Sequence, residues 1–180
     1  MMETMTSLAE QVKETVRDIP NFPKEGIIFK DITPILQNPV LCNDIVEHII
    51  HQFKDTKIDA IACIESRGFL FGPLIAQKLS IPFIPIRKKG KLPYKTISYK
   101  YDLEYGSAEI EMHEDAIQKG WNVLIHDDLL ATGGTAAAAA ELVQHTGNVA
   151  GFSFLINLDF LNGKEVLTPY NSKVESIIEY

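Results

Sequence analysis

The chain has 180 residues, 46% of them hydrophobic and 23% charged, the composition of an average folded domain, which excludes wholesale disorder and fibrous repeats. That length suits one domain, 1–180, with a core that buries about 70% of the extended surface and needs no disulfide staples. The formal net charge of −7 argues against nonspecific binding to nucleic acid. No run approaches the ~20 apolar residues of a bilayer span, and MMETMTSLAEQV lacks the basic start of a secretory signal. Cys42 and Cys63 sit in apolar stretches as reduced thiols, so a cytoplasmic protein is expected.

The charge is unevenly spread. From Ser66 to Tyr101 there is no acidic residue, and Arg67, Lys78, Arg87, Lys88, Lys89, Lys91, Lys95 and Lys100 give this segment +8, leaving −7 − 8 = −15 for the remainder. A local anion site within an acidic protein is the expectation.

Along the chain, Ser7-x-x-Glu10 is a capping box. Leu8, Val12, Val16 and Ile19 then continue at helical spacing as far as Pro20. The stretch NFPKEGIIFKDITP, punctuated by Pro and Gly, reads as a loop with a short extended piece. Asn38-Pro39 starts a second helix, with Leu41, Ile45, Ile49, Ile50 and Phe53 on its buried face.

After Asp59 continuous apolar runs alternate with helical stretches: DAIACI, FLFGPLIAQKL, PFIPI, NVLIHDD, TAAAAAELVQ and VAGFSFLINL. That alternation predicts an α/β fold with a doubly wound, mostly parallel sheet and helices on both faces. Between Lys88 and Trp121, YKTISYKYDLEYG and SAEIEMHEDA alternate polar and apolar residues, predicting two antiparallel strands as an excursion from that sheet.

The chemistry concentrates in NVLIHDDLLATGGTAAAAAEL, a hydrophobic strand followed by two acids, a glycine turn and a helix. In α/β sheets ligands bind at the carboxyl ends of strands, where such a turn sits. Ala131-Thr132-Gly133-Gly134-Thr135 offers backbone N–H groups, two hydroxyls and the positive end of a helix dipole, the chemistry of a phosphate cradle. A Gly-Gly pair also reads as a plain strand-to-helix turn. Asp127 and Asp128 at the strand's exit weigh against that reading, because adjacent carboxylates are costly to bury without sugar hydroxyls or a metal to answer them. Phosphate beside a diol describes a ribose 5-phosphate.

DDLLATGGT resembles the signature of type I phosphoribosyltransferases, enzymes that use 5-phosphoribosyl-1-pyrophosphate (PRPP). FPKEGIIFKDITP, ESRGFLFGP, IRKKGKLP and LEYG, standing in order along nearly the whole chain, are similar to the adenine phosphoribosyltransferases among them. The resemblance implies transfer of a phosphoribosyl group from PRPP to adenine, giving AMP and pyrophosphate in purine salvage.

Residue by residue, it assigns the 5-phosphate to Ala131, Thr132, Gly133, Gly134 and Thr135, and the ribose to Asp127 and Asp128. Ser66, Arg67, Arg87, Lys88 and Lys91 fall to the pyrophosphate, with Arg67 also counted as catalytic. Adenine falls to Ile28, Phe29, Lys30 and Leu130, within a hood of 20–36. Acid–base catalysis falls to Glu104, on a mobile loop of about 94–115. Mg²⁺ is expected to arrive with PRPP rather than in a protein cage, and a homodimer is expected.

Glu25, Lys30 and Glu65 replace a proline, an arginine and an aspartate common in the family, without removing a required group. His126 stands where an aliphatic residue is usual and has no assigned role; alternation along the strand points it away from Asp127. His48 and His51 read as helix surface rather than as a metal pair. The alternatives are transfer to another purine base and a catalytically silent PRPP-sensing regulator. An intact Glu104 and an acidic chain without a DNA-binding segment disfavour the regulator.

Overall fold

In the computed structural model, which describes residues 6–103 and 106–180, helix α1 (Leu8–Thr15) begins at its capping box. The Ser7 side chain accepts the Glu10 N–H at 3.3 Å, and the Glu10 carboxylate accepts the Ser7 N–H at 2.8 Å. The helix stops five residues short of Pro20. Arg17–Pro20 is instead strand β1, antiparallel to β2 (Ile28–Asp31). Helical spacing was a true signal for Leu8 to Val16, but cross-strand charge decides the rest: Asp18 meets Lys30 at 2.7 Å and Arg17 meets Asp31 at 3.4 Å in directly opposed pairs.

Helix α2 (Pro39–Gln52) starts as expected, with the Asn38 side chain accepting the Leu41 N–H at 3.1 Å. Leu41, Ile45, Val46 and Ile49 are buried. The chain divides into two compact units, 1–48 and 49–180.

The larger unit is built on a seven-stranded sheet. Its strands are β3 (Ala60–Ile64), β4 (Phe83–Lys88), β5 (Thr96–Leu103), β6 (Gly106–His113), β7 (Asn122–Leu130), β8 (Asn148–Asn157) and β9 (Val174–Glu179), in the order β5-β6-β4-β3-β7-β8-β9. The five strands from β4 to β9 are parallel, while β6 is antiparallel to both β4 and β5. The hairpin expected as an excursion therefore extends the sheet at its edge, since β6 finds its partner in the last turn of β4, where Arg87 faces Glu111.

Helices α3 (Gly72–Leu79), α4 (Gly134–Gln144) and α5 (Gly163–Leu167) supply the crossovers. From the β3/β7 junction the chain winds outward in two directions, to β4 through α3 and to β8 and β9 through α4 and α5. Right-handed crossovers then place α3 on one face and α4 and α5 on the other. The β3/β7 junction is the topological switch point, where the strand ends part to form a crevice.

Strand β3 is buried along its whole length, and β8 along all but its first residue. In α4 the alanine run lets the helix approach the sheet closely: Ala136, Ala138, Ala139 and Ala140 are buried beside Leu142 and Val143. Helix α5 and strand β9 went unread in the sequence. GKEVL is too short for a helical period, and VESIIE, with one partner strand, mixes charged and apolar residues.

His126, on β7, is fully buried, with Nδ1 3.3 Å from the Ser153 Oγ of β8. Burial pushes its pKa down to about 4 from an ordinary 6.5, so the folded protein holds a neutral imidazole. Between those values the unfolded chain binds a proton that the folded chain does not. The stabilising contribution is complete above pH 6.5 and is lost as the pH falls toward 4. Taking urea unfolding from pH 7 to pH 5 should cost the wild type about 2 kcal/mol more than His126→Leu, at 1.36 kcal/mol per pH unit. Equal losses in the two proteins would mean that the imidazole titrates normally.

Candidate active site

At the end of β7 the chain turns through residues 131–133 into α4. Gly133 is the residue before the helix and takes φ +84°, a left-handed conformation in which a side chain is strained. Space there is short as well: a Cβ would lie 2.7 Å from the Gly163 carbonyl oxygen at the start of α5. A bare backbone is thus required. The first N–H groups of α4 lack intrahelical acceptors by geometry, and residues 131–136 line a cavity of about 80 Å³ together with Asp127, Leu129, Leu130 and Phe154. The concave surface, the free donors and the helix dipole favour an anion.

A larger cavity of about 470 Å³ lies alongside, with Asp127 and Thr135 bordering both. Glu65 and Lys88 from the ends of β3 and β4, and Tyr101 and Glu109 from the hairpin, contribute to it. Tyr101 reaches α4, its hydroxyl 3.1 Å from Thr135 Oγ1. The crevice at the switch point is thus walled by strand ends on one side and by the hairpin on the other.

Asp128 is 3% exposed, and its carboxylate meets Arg67 Nε at 2.9 Å. Arg67 sits in the short 3-10 turn Arg67–Phe69 that follows β3, where the Glu65–Ser66 peptide is cis. Gly68 lets that turn approach β7, since a Cβ would lie 3.0 Å from Asp127 Oδ1. Burial raises the pKa of both aspartates. At Asp127 burial, with repulsion from Asp128 added, lifts the pKa well above the usual carboxylate range, whereas the Arg67 charge offsets part of the rise at Asp128. Two adjacent carboxyl groups, one of them paired with Arg67, thus stand at the crevice as hydrogen-bonding groups.

The basic segment is answered by acids that lie outside it. Arg87 pairs with Glu65 and donates to the Lys91 carbonyl at 3.1 Å. Lys89 meets Glu109 at 3.0 Å, and Lys95 approaches Glu114 at 3.9 Å. Burial would raise the pKa of Glu65, but the Arg87 guanidinium and the Lys88 N–H outweigh it and hold the carboxyl below its usual value.

The structure thus brings together Asp127, Asp128, the 131–135 turn, Arg67 and Lys88 around one crevice. Leu130, expected against the base, is buried and lines the smaller cavity. Ile28, Phe29 and Lys30 lie on β2 in the N-terminal unit, where Phe29 packs edge-on against Phe22 at 5.2 Å. Glu104 lies outside the described residues. The Arg67–Asp128 pair, the Tyr101–Thr135 contact and the acids at 109 and 111 were missed in the sequence, which carries no local signal for any of them.

A profile of the phosphoribosyl transferase domain matches residues 31–150. An adenine phosphoribosyltransferase of Cytophaga hutchinsonii is 55% identical over 181 residues, covering 99% of this chain and all of that one. The chain belongs to the adenine phosphoribosyltransferase family. A solved member from Thermoanaerobacter pseudethanolicus superposes with a TM-score of 0.92 at 46% identity, covering 96% of this chain and 99% of that one. The Saccharomyces cerevisiae member, solved with D-2,5-dideoxy-2,5-imino-altritol 1,6-bisphosphate and adenine, has a TM-score of 0.88 at 43% identity over 95% of this chain and 98% of its own. As in that family, the mostly parallel sheet is flanked by helices. Among the described residues no helix is long and apolar enough to cross a membrane.

In this member of the family, Arg67→Met would keep the bulk of the side chain and leave the Asp128 carboxylate buried without its cation. Unfolding free energy at neutral pH should fall by about 2 kcal/mol, and adding Asp128→Asn should restore most of it. Additive losses in urea unfolding of the double variant would show that the two residues do not act as a pair.

Proposed function

We propose that the protein transfers the 5-phosphoribosyl group of PRPP to adenine, releasing AMP and pyrophosphate. The observation that carries this reading is the pair of adjoining cavities at the switch point. One is lined by backbone at a helix start, the other is larger, and the Asp127 carboxyl borders both. A sugar carrying a phosphate on one side and a second anionic group on the other suits that arrangement. A family member solved with a bisphosphorylated imino sugar and adenine together supports it.

In this reading Ala131 to Thr135 hold the 5-phosphate, and Asp127 and Asp128 take the ribose hydroxyls. Ser66, Arg67, Arg87, Lys88 and Lys91 answer the pyrophosphate. The bond from C1 to the pyrophosphate oxygen breaks as the bond from C1 to an adenine nitrogen forms, through an oxocarbenium-like state. Cations placed before the reaction stabilise the charge that grows on the leaving group. Glu104 manages the proton of the adenine ring, and closure of the β5–β6 hairpin of about 94–115 over the site excludes water. The resemblance assigns base reading to Ile28, Phe29, Lys30 and Leu130, with 20–36 as a hood.

PRPP enters as its Mg²⁺ complex. An ion of this kind would be held mainly by phosphate oxygens and water rather than by a protein cage. When bound, Mg²⁺ would supply charge neutralisation for the departing pyrophosphate. A cytoplasmic homodimer completes the reading.

A steady-state assay with adenine, hypoxanthine and guanine, each with Mg²⁺ and PRPP, tests it. Turnover should be confined to adenine, and comparable rates with hypoxanthine would defeat the assignment of the base. Glu104→Ala should bind PRPP as the wild type does while kcat falls by about 10²-fold, as expected when an acid–base group is lost. Unchanged turnover would remove Glu104 from the reaction.

A further inference from the structure

Glu111 lies outside every role given above, yet it is the most heavily used carboxylate of the hairpin. It is 2% exposed on β6, directly opposite Arg87 of β4. One of its oxygens accepts the backbone N–H groups of Lys91 and Leu92, each at 2.9 Å, and the other accepts the Thr96 hydroxyl at 3.1 Å. Burial opposes its ionisation, but the backbone donors and Thr96 prevail, so it stays charged below the usual range for a glutamate.

These bonds converge on one residue. The N–H of Lys91 is held by Glu111, while its carbonyl accepts from Arg87, whose Nε is engaged by Glu65. The Lys91 N–H also approaches the Lys88 carbonyl at 3.2 Å, closing a tight turn through Gly90 at φ +83°. Lys91 itself is exposed, so packing of its side chain does not hold this turn. A buried charge accepting several N–H groups does, and bonds of this kind are about twice as strong as neutral ones.

We propose that Glu111 is a positioning residue for the pyrophosphate half of the site: it sets the turn from Lys88 to Lys91 so that its cations are in place before PRPP arrives. The inference rests on the assignment of that turn to pyrophosphate. A buried carboxylate that orders donors in advance lowers the ordering cost of binding without touching the ligand.

Calorimetric titration of PRPP with Mg²⁺, and separately of ribose 5-phosphate, into the full-length protein tests it, because the two ligands differ only in the pyrophosphate. In Glu111→Met the Kd for PRPP should rise by about 10-fold or more while that for ribose 5-phosphate stays within about twofold. Glu111→Gln keeps the shape and one accepting oxygen, so it should show a smaller shift of about threefold in the same direction. It decides the matter should the Met variant fail to fold. Wild-type affinity for PRPP in the Gln variant, or equal losses for both ligands, would overturn the proposal. A wild type that binds PRPP no more tightly than ribose 5-phosphate would instead overturn the pyrophosphate assignment on which it rests.

Discussion

Two consecutive aspartates at the mouth of a parallel sheet are the constraint around which the larger unit is arranged. Side chains alternate along a strand, so neighbouring carboxyls at its last turn cannot both escape to water. Asp128 is buried, and a buried carboxylate without a partner would protonate or destabilise the fold. Arg67 answers it from the loop after β3, the strand hydrogen-bonded to β7 at the switch point. The loop that carries Arg67 comes close enough because Gly68 has no side chain to hold it away from Asp127. The ion pair and the glycine thereby join the two strand ends that frame the crevice, and Asp127 is left facing both cavities.

The same logic governs the basic segment. In sequence it is free of acids for 36 residues, and on that basis a local anion site was expected. In space Glu65, Glu109, Glu111 and Glu114 stand beside it. Glu109 and Glu111 come from β6, which the sheet topology sets beside β4 and β5, and Glu65 follows β3, the other neighbour of β4. The cations are thus held in position at least as much as they are concentrated. Lys88 and Lys89 line the larger cavity beside Glu65, Glu109 and Asp127.

Much of the site was legible because it is written in consecutive residues. A strand, two acids, a bare turn and an alanine-rich helix follow one another from Asn122 to Gln144, and their chemistry depends on local geometry: positive φ at Gly133, exposed N–H groups and the axis of a helix. The parallel core strands were legible for a similar reason, since burial on both faces demands unbroken apolar runs such as AIACI. Elements whose stability comes from a partner were not. Arg17 to Pro20 carries a helical pattern, yet opposed ion pairs with β2 make it a strand. Strand β9 draws its order from β8 rather than from its own composition.

By itself, then, the order of residues determined the alternation that builds a doubly wound sheet, the glycine turn at its mouth and the family to which the chain belongs. Each of these rests on interactions within a few residues or on burial that marks every position of a segment. Only the tertiary structure decided which carboxylate meets which cation, that the hairpin joins the sheet edge through Arg87 and Glu111, and that Tyr101 reaches Thr135. Those choices depend on strand order and register, through which residues far apart in the chain come within hydrogen-bonding distance.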